Sequence, residues 1–170
     1  MRVASLRPDL VRTWVCDVMG VFHPSFRWHE FALLWQTPEV GEQYIGIQLR
    51  SPLAERVGVL EAAGIPREVG ARIAAEWDET MGRCILALYR SAPVEELQRW
   101  AADLGHAAVI PGLVIIAPID PFGSDPAAAI EIADRLGASR ALLEQHGHWW
   151  MLHDPDAAAE MLRHFWAEAY

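Results

Sequence analysis

The sequence has only two cysteines, no long apolar run and no cluster of basic residues. Cys16 sits in an apolar run and Cys84 in a stretch of helical spacing, so neither suggests a disulfide framework or a metal knuckle. No apolar run approaches the roughly 20 residues of a membrane span. Met1-Arg2-Val3-Ala4-Ser5 lacks the layout of a signal peptide. These features point to a reducing, cytoplasmic setting. The 14 Lys and Arg are scattered among 23 Asp and Glu, giving a formal net charge of −9. Phosphate backbones need a basic footprint and interfacial helices need a basic face, so neither nucleic acid nor a membrane is expected as a partner. Internal repeats and low-complexity linkers are also missing.

What is present is 170 residues, 52% of them apolar, enough for a domain with a real core. Eight tryptophans are many for this length, so some region must bury or grip large flat surfaces. Leu113-Val114-Ile115-Ile116 is a short, continuously apolar, β-branched run, as in a strand buried on both faces of a parallel sheet. Asp120-Pro121-Phe122-Gly123-Ser124 reads as a loop. Asp125 can cap a helix with Pro126 at its first position, and Gly137 is placed to end it. Arg140 to Glu144 reads as a second short strand, which makes a βαβ unit with the first. Asp154-Pro155 repeats the cap-plus-proline start, and Ala158, Met161, Leu162 and Phe165 follow at helical spacing. Val11 to Val18 predicts a third strand.

Between them, residues 24–104 look helical almost throughout. One helix is predicted from Ser51-Pro52 to Gly64. A second runs from about Arg67 into Leu86-Ala87-Leu88, and a third starts near Pro93 with Leu97, Trp100, Ala101 and Leu104 on one face. The expected division is therefore a core of 1–23 plus 105–170 and a helical cap or lid at 24–104.

In a parallel α/β sheet, ligands bind beyond the C-terminal strand ends. Asp120 follows the best strand and Gly147-His148 follows the next, so a carboxylate can hold the δ-nitrogen proton of an imidazole and orient it as a general base. The glycine before His148 lets the loop come close. Taken alone, Asp120 reads equally well as a turn aspartate, whereas a structural histidine is the lesser reading of His148. His146, His148 and His153 do not make a convincing metal site, which needs three or four convergent ligands.

The run Val114-Ile115-Ile116-Ala117-Pro118-Ile119-Asp120-Pro121-Phe122, then Gly147-His148-Trp149-Trp150-Met151 and Asp154-Pro155, resembles the C-terminal signature of the α/β-hydrolase superfamily. Arg7-Pro8-Asp9-Leu10-Val11 before a strand is similar to the segment these enzymes carry after the nucleophile helix, and the helical middle matches their cap. The resemblance implies a partial α/β-hydrolase fold with about three parallel strands, flanking helices and a cap insertion. It implies His148 as catalytic base and Asp120 as its acid. Some members place the acid at the end of the preceding strand, which leaves Asp17 as an alternative. Trp28, Trp35 and Tyr89, with Tyr44, are candidates to line a pocket for a small apolar substrate, though packing of the cap's own core accounts for most of them. Trp149 joins them as a pocket candidate, but both Trp149 and Trp150 fit packing around the histidine better.

One family element is missing. No Gly-x-Ser-x-Gly elbow occurs, nor any glycine-rich loop suited to an oxyanion hole, and about five strands carrying both are expected to lie before Met1. Ser124 follows the acid and is not in an elbow. The implied activity is hydrolysis of an ester, epoxide or carbon–halogen bond with a nucleophile not present in this chain. The alternative is a catalytically inactive fragment serving as a binding module. No cofactor and no metal are expected. The sheet edge left open by the missing strands predicts a homodimer or a complementary N-terminal fragment as partner.

Overall fold

Three strands, β1 (Trp14–Asp17), β2 (Gly112–Ile116) and β3 (Ser139–Leu142), form one sheet in the order β1-β2-β3, parallel throughout. The computed structural model describes residues 1–123 and 125–169; Ser124 and Tyr170 lie outside the described residues. The helices are α1 (Arg2–Leu6), α2 (Glu30–Gln36), α3 (Val40–Arg50), α4 (Leu53–Ala62) and α5 (Arg67–Glu76). They continue with α6 (Glu79–Arg90), α7 (Val94–Asp103), α8 (Pro126–Leu136), α9 (Trp150–His153) and α10 (Pro155–Glu168). Short 3-10 turns lie at Pro8–Leu10, Met19–Phe22 and Leu104–Val109.

The chain divides into two compact units, one of Met1–Arg27 with Val94–Tyr170 and one of Trp28–Pro93. The expected insertion is 24–104; the second unit is narrower, and α7 falls with the sheet and not with the inserted helices. The reason is its apolar face: Ala101 packs in the core of the first unit, and α7 touches the 3-10 turns on either side of it in that unit.

Every residue of β2 is buried, because alternate side chains enter two different cores. Val114 and Ile116 face Trp14, Met19, Leu104 and the α8 residues Ile132, Ala133 and Leu136. Leu113 and Ile115 face Trp150 and Phe165, with Val15 and Ala141 alongside. A run apolar at every position is what a two-sided strand requires.

Local chemistry sets most element ends. Asp125 caps α8 by accepting from the Ala127 amide at 2.9 Å, Pro126 opens the helix, and Gly137 closes it at φ 61°. Asp154 does the same for α10 through Ala157 at 3.0 Å. Three expectations shift. β1 is shorter than 11–18: its pairing begins where Trp14 donates to the Pro111 carbonyl and ends at Asp17, since Val18 turns left-handed at φ 52°. β3 ends at Leu142 and not at Glu144, because the chain turns there with His146 N–H donating to Leu143 at 2.9 Å. The single helix expected from Arg67 to Leu88 is two, α5 and α6, because Asp78 stops the ladder by capping the Met81 amide at 2.8 Å.

The second unit is wholly helical. Gly41 admits Leu86 against α3 and Gly82 admits Ile45 against α6, so these two helices approach closely and run antiparallel. The α4–α5 hairpin turns at Gly64, φ 87°, where the expected helix end falls.

Candidate active site

Asp120 and His148 stand at the C-terminal ends of neighbouring strands. After β2 the chain turns so that the Asp120 amide donates to Ala117 at 3.2 Å, and Asp120 Oδ1 accepts from the Phe122 amide at 2.7 Å. Oδ2 is left for His148 Nδ1, at 2.8 Å. The carboxylate is buried, 7% exposed, whereas the imidazole is 30% exposed. Gly123 backs the carboxylate so closely that a Cβ there would lie 2.8 Å from Oδ2. The ring is also held between aromatic edges, its centroid 5.4 Å from that of Phe122 and 4.8 Å from that of Trp149.

Burial alone would raise the Asp120 carboxyl. The hydrogen bonds from His148 and the Phe122 amide, the imidazolium charge and the Gly123 amide outweigh it and hold the group below its ordinary value. His148 moves the other way. Its bond to Asp120 raises it, burial opposes, and the charges of Asp120 and Asp17 add to the rise. An ionised carboxylate only accepts, so Nδ1 carries the proton in the neutral ring and Nε2 carries the lone pair. That arrangement can remove a proton from a group placed beside Nε2.

Asp17, the alternative acid, ends β1 and lies in the same small cleft as Ala117, Asp120, Gly123 and Trp150. It does not bond the imidazole; its Oδ2 accepts from Trp150 Nε1 at 3.2 Å. Cys16 beside it is no ready nucleophile, since burial pushes its thiol up to about 11. His146 is half-buried and His153 is exposed in α9. Among the described residues no three His, Cys, Asp or Glu side chains gather as a metal site would need.

The aromatic candidates divide between the units. Trp28, Trp35 and Tyr89 belong to the second unit and pack on one another, with Trp35 and Tyr89 centroids 4.7 Å apart and Trp28 and Tyr89 5.4 Å apart. Trp28 Nε1 donates to the Ala92 carbonyl at 2.9 Å, and Tyr44 stacks at a tilt on Phe31. Trp149 belongs to the first unit, edge-on to His148. Two contributions are not legible in the sequence: that of Phe122, and the bond that Trp150 makes beyond packing. Phe122 supplies both an amide to Asp120 and an edge to His148, as its place two residues after the acid allows in an Asx turn. Trp150 binds Asp17, and nothing in the Trp149-Trp150 pair says which of the two turns inward.

Three parallel strands in one open sheet with flanking helices make this part of an α/β-hydrolase fold. The chain is similar to the solved structure of an alpha/beta hydrolase fold protein from Nakamurella multipartita, at 20% identity and a TM-score of 0.53, over 96% of this chain. It spans 63% of the length of that structure. No family model and no curated protein matches the sequence. Among the described residues no helix is long and apolar enough to cross a membrane.

Proposed function

We propose that the chain carries the acid–histidine half of a hydrolase site, acting on an ester, epoxide or carbon–halogen bond of a small apolar substrate. The observation that supports it best is the 2.8 Å bond from His148 Nδ1 to a buried Asp120, in a fold shared with an alpha/beta hydrolase fold protein. In this reading His148 Nε2 accepts the proton of an attacking hydroxyl or water as the new bond forms at the substrate carbon. For an ester it then returns that proton to the leaving alkoxide. Asp120 keeps the ring in one tautomer and offsets the charge of the imidazolium. The nucleophile in this reading is either water or a side chain that this sequence does not contain.

The test is hydrolysis of a panel of p-nitrophenyl esters by the purified chain and by His148→Ala. Turnover that falls at least ~100-fold in the variant, the usual worth of a general base, supports the reading. A folded chain with no turnover, or turnover unchanged by the substitution, sinks catalysis by this chain alone and favours a binding module.

A further inference from the structure

Trp150 Nε1 donates to Asp17 Oδ2 at 3.2 Å, joining the end of β1 to a residue 133 positions later. Trp150 is buried, with its ring among Leu113, Ile115 and Phe165. Its own amide donates to the Gly147 carbonyl at 3.1 Å. Residues 147–150 are therefore one closed turn with His148 inside it. The far end of that turn is fixed by an indole that packs on one side and donates on another. A buried indole N–H needs an acceptor, and a carboxylate is a strong one.

Asp17 is paired in register with Ile115 and is followed by a strained residue. Val18, next along, has φ 52° and ψ 28°, a left-handed conformation that costs a β-branched residue about 1–3 kcal/mol. Such strain persists where the surroundings over-determine it. Here Trp14 of β1 is buried on one side and Met19 is fully buried on the other. Asp17 and Asp120 are the charged residues lining this cleft.

We propose that Asp17 is a positioning residue for His148: its carboxylate holds the Trp150 indole, and the indole holds the turn that presents the imidazole to Asp120. The inference rests on His148 being the base of the site, and it gives the second carboxylate a task other than that of catalytic acid.

The test uses NMR of the whole chain and no substrate. Two signals are followed: the downfield Nδ1–H proton of His148, assigned by its loss in His148→Ala, and the Trp150 Nε1–H. Asp17→Ala and Trp150→Phe are expected to lose the His148 signal through rapid exchange. Asp17→Asn keeps an oxygen acceptor and is expected to retain it, although the titration of His148 falls because a negative charge is gone. Persistence of the signal in Trp150→Phe overturns the proposal, as does its loss in Asp17→Asn. If Asp17→Ala and Trp150→Phe do not fold, Trp150 Nε1–H exchange in wild type and Asp17→Asn decides. Protection in both supports the proposal; unprotected exchange in either overturns it. A chain with the expected signals and no turnover leaves this inference standing while the hydrolase reading fails. Turnover with an unaffected signal in Trp150→Phe gives the reverse.

Discussion

Gly147 lies against the backbone of Ile119: a Cβ on residue 147 would stand 3.3 Å from the Ile119 carbonyl oxygen. The contact is between the histidine's turn and the residue just before the acid, so the distance that lets His148 reach Asp120 is set by a missing methyl group. Gly147 does not have positive φ, so space and not backbone freedom is what the site demands of it. Gly147→Ala must push the two loops apart by a few tenths of an ångström. The expected result is a loss of about 1 kcal/mol, read as a lower Tm, together with a weakened His148–Asp120 bond. Unchanged Tm and an unchanged His148 resonance would show that the loops yield freely.

The acid and histidine shift in opposite directions, so their contribution to stability has a window. Asp120 is held below its ordinary value, so its share is present above about pH 4, the unfolded value, and is lost as pH falls through the folded one. His148 is raised, so its share is complete below about pH 6.5 and is lost as pH rises through its folded value. The two overlap between about pH 4 and 6.5. Asp120→Asn is expected to destabilise most in that interval, by about 1–3 kcal/mol, and less as the solution turns alkaline. Urea unfolding of both proteins across pH checks this; a difference that grows above neutrality contradicts it.

The same rise fixes the sign of any pH–rate profile. A base works unprotonated, so if the chain turns over esters, kcat/KM must climb through the raised value of His148, on the alkaline side of a free histidine. Asp17→Asn removes one of the charges that raise it and moves the ascending limb to lower pH. A limb that stays put in this variant means that another group titrates.

Much of this was legible because it is local. Asp125, Pro126 and Gly137 bound α8 as their chemistry demands, and the run 113–116 could only be a two-sided strand. Asp120 and His148 were legible as a pair, through their positions after adjacent strands. The break between α5 and α6 was not, because Ile73, Ala74, Ile85 and Leu86 keep a helical rhythm across Trp77 and Asp78, and only the capping bond at Asp78 reveals the stop. The Asp17–Trp150 bond was hidden for a different reason: its partners meet only after the sheet has formed.

Val18 offers a test in the opposite direction. A residue that tolerates the left-handed region removes strain without touching the carboxylate beside it. Val18→Asn is expected to gain about 1 kcal/mol, or roughly 2–4 °C in Tm, offset in part by the lost packing of a half-buried side chain. Val18→Ile keeps the strain and gains nothing. If Val18→Asn loses stability while Val18→Ile does not, packing outweighs the backbone at this position.

Among the described residues no strand pairs with the outer edge of β1, and the elements that precede β1 and β2 carry exposed aliphatic side chains. Val3 and Leu6 of α1, Leu10 of the next turn and Val109, 79% exposed, all face water. Their elements touch one another, so the residues share one region of the first unit. Exposed apolar regions and unpaired edges promote association in general, which makes a second copy the expected partner. Sedimentation velocity of the purified chain is expected to show concentration-dependent dimerisation. Leu10→Glu with Val109→Glu should shift it toward monomer while leaving Tm nearly unchanged, because both side chains are already exposed. A monodisperse monomer at every concentration removes self-association from consideration. A dimer insensitive to the double variant moves its interface elsewhere on the chain.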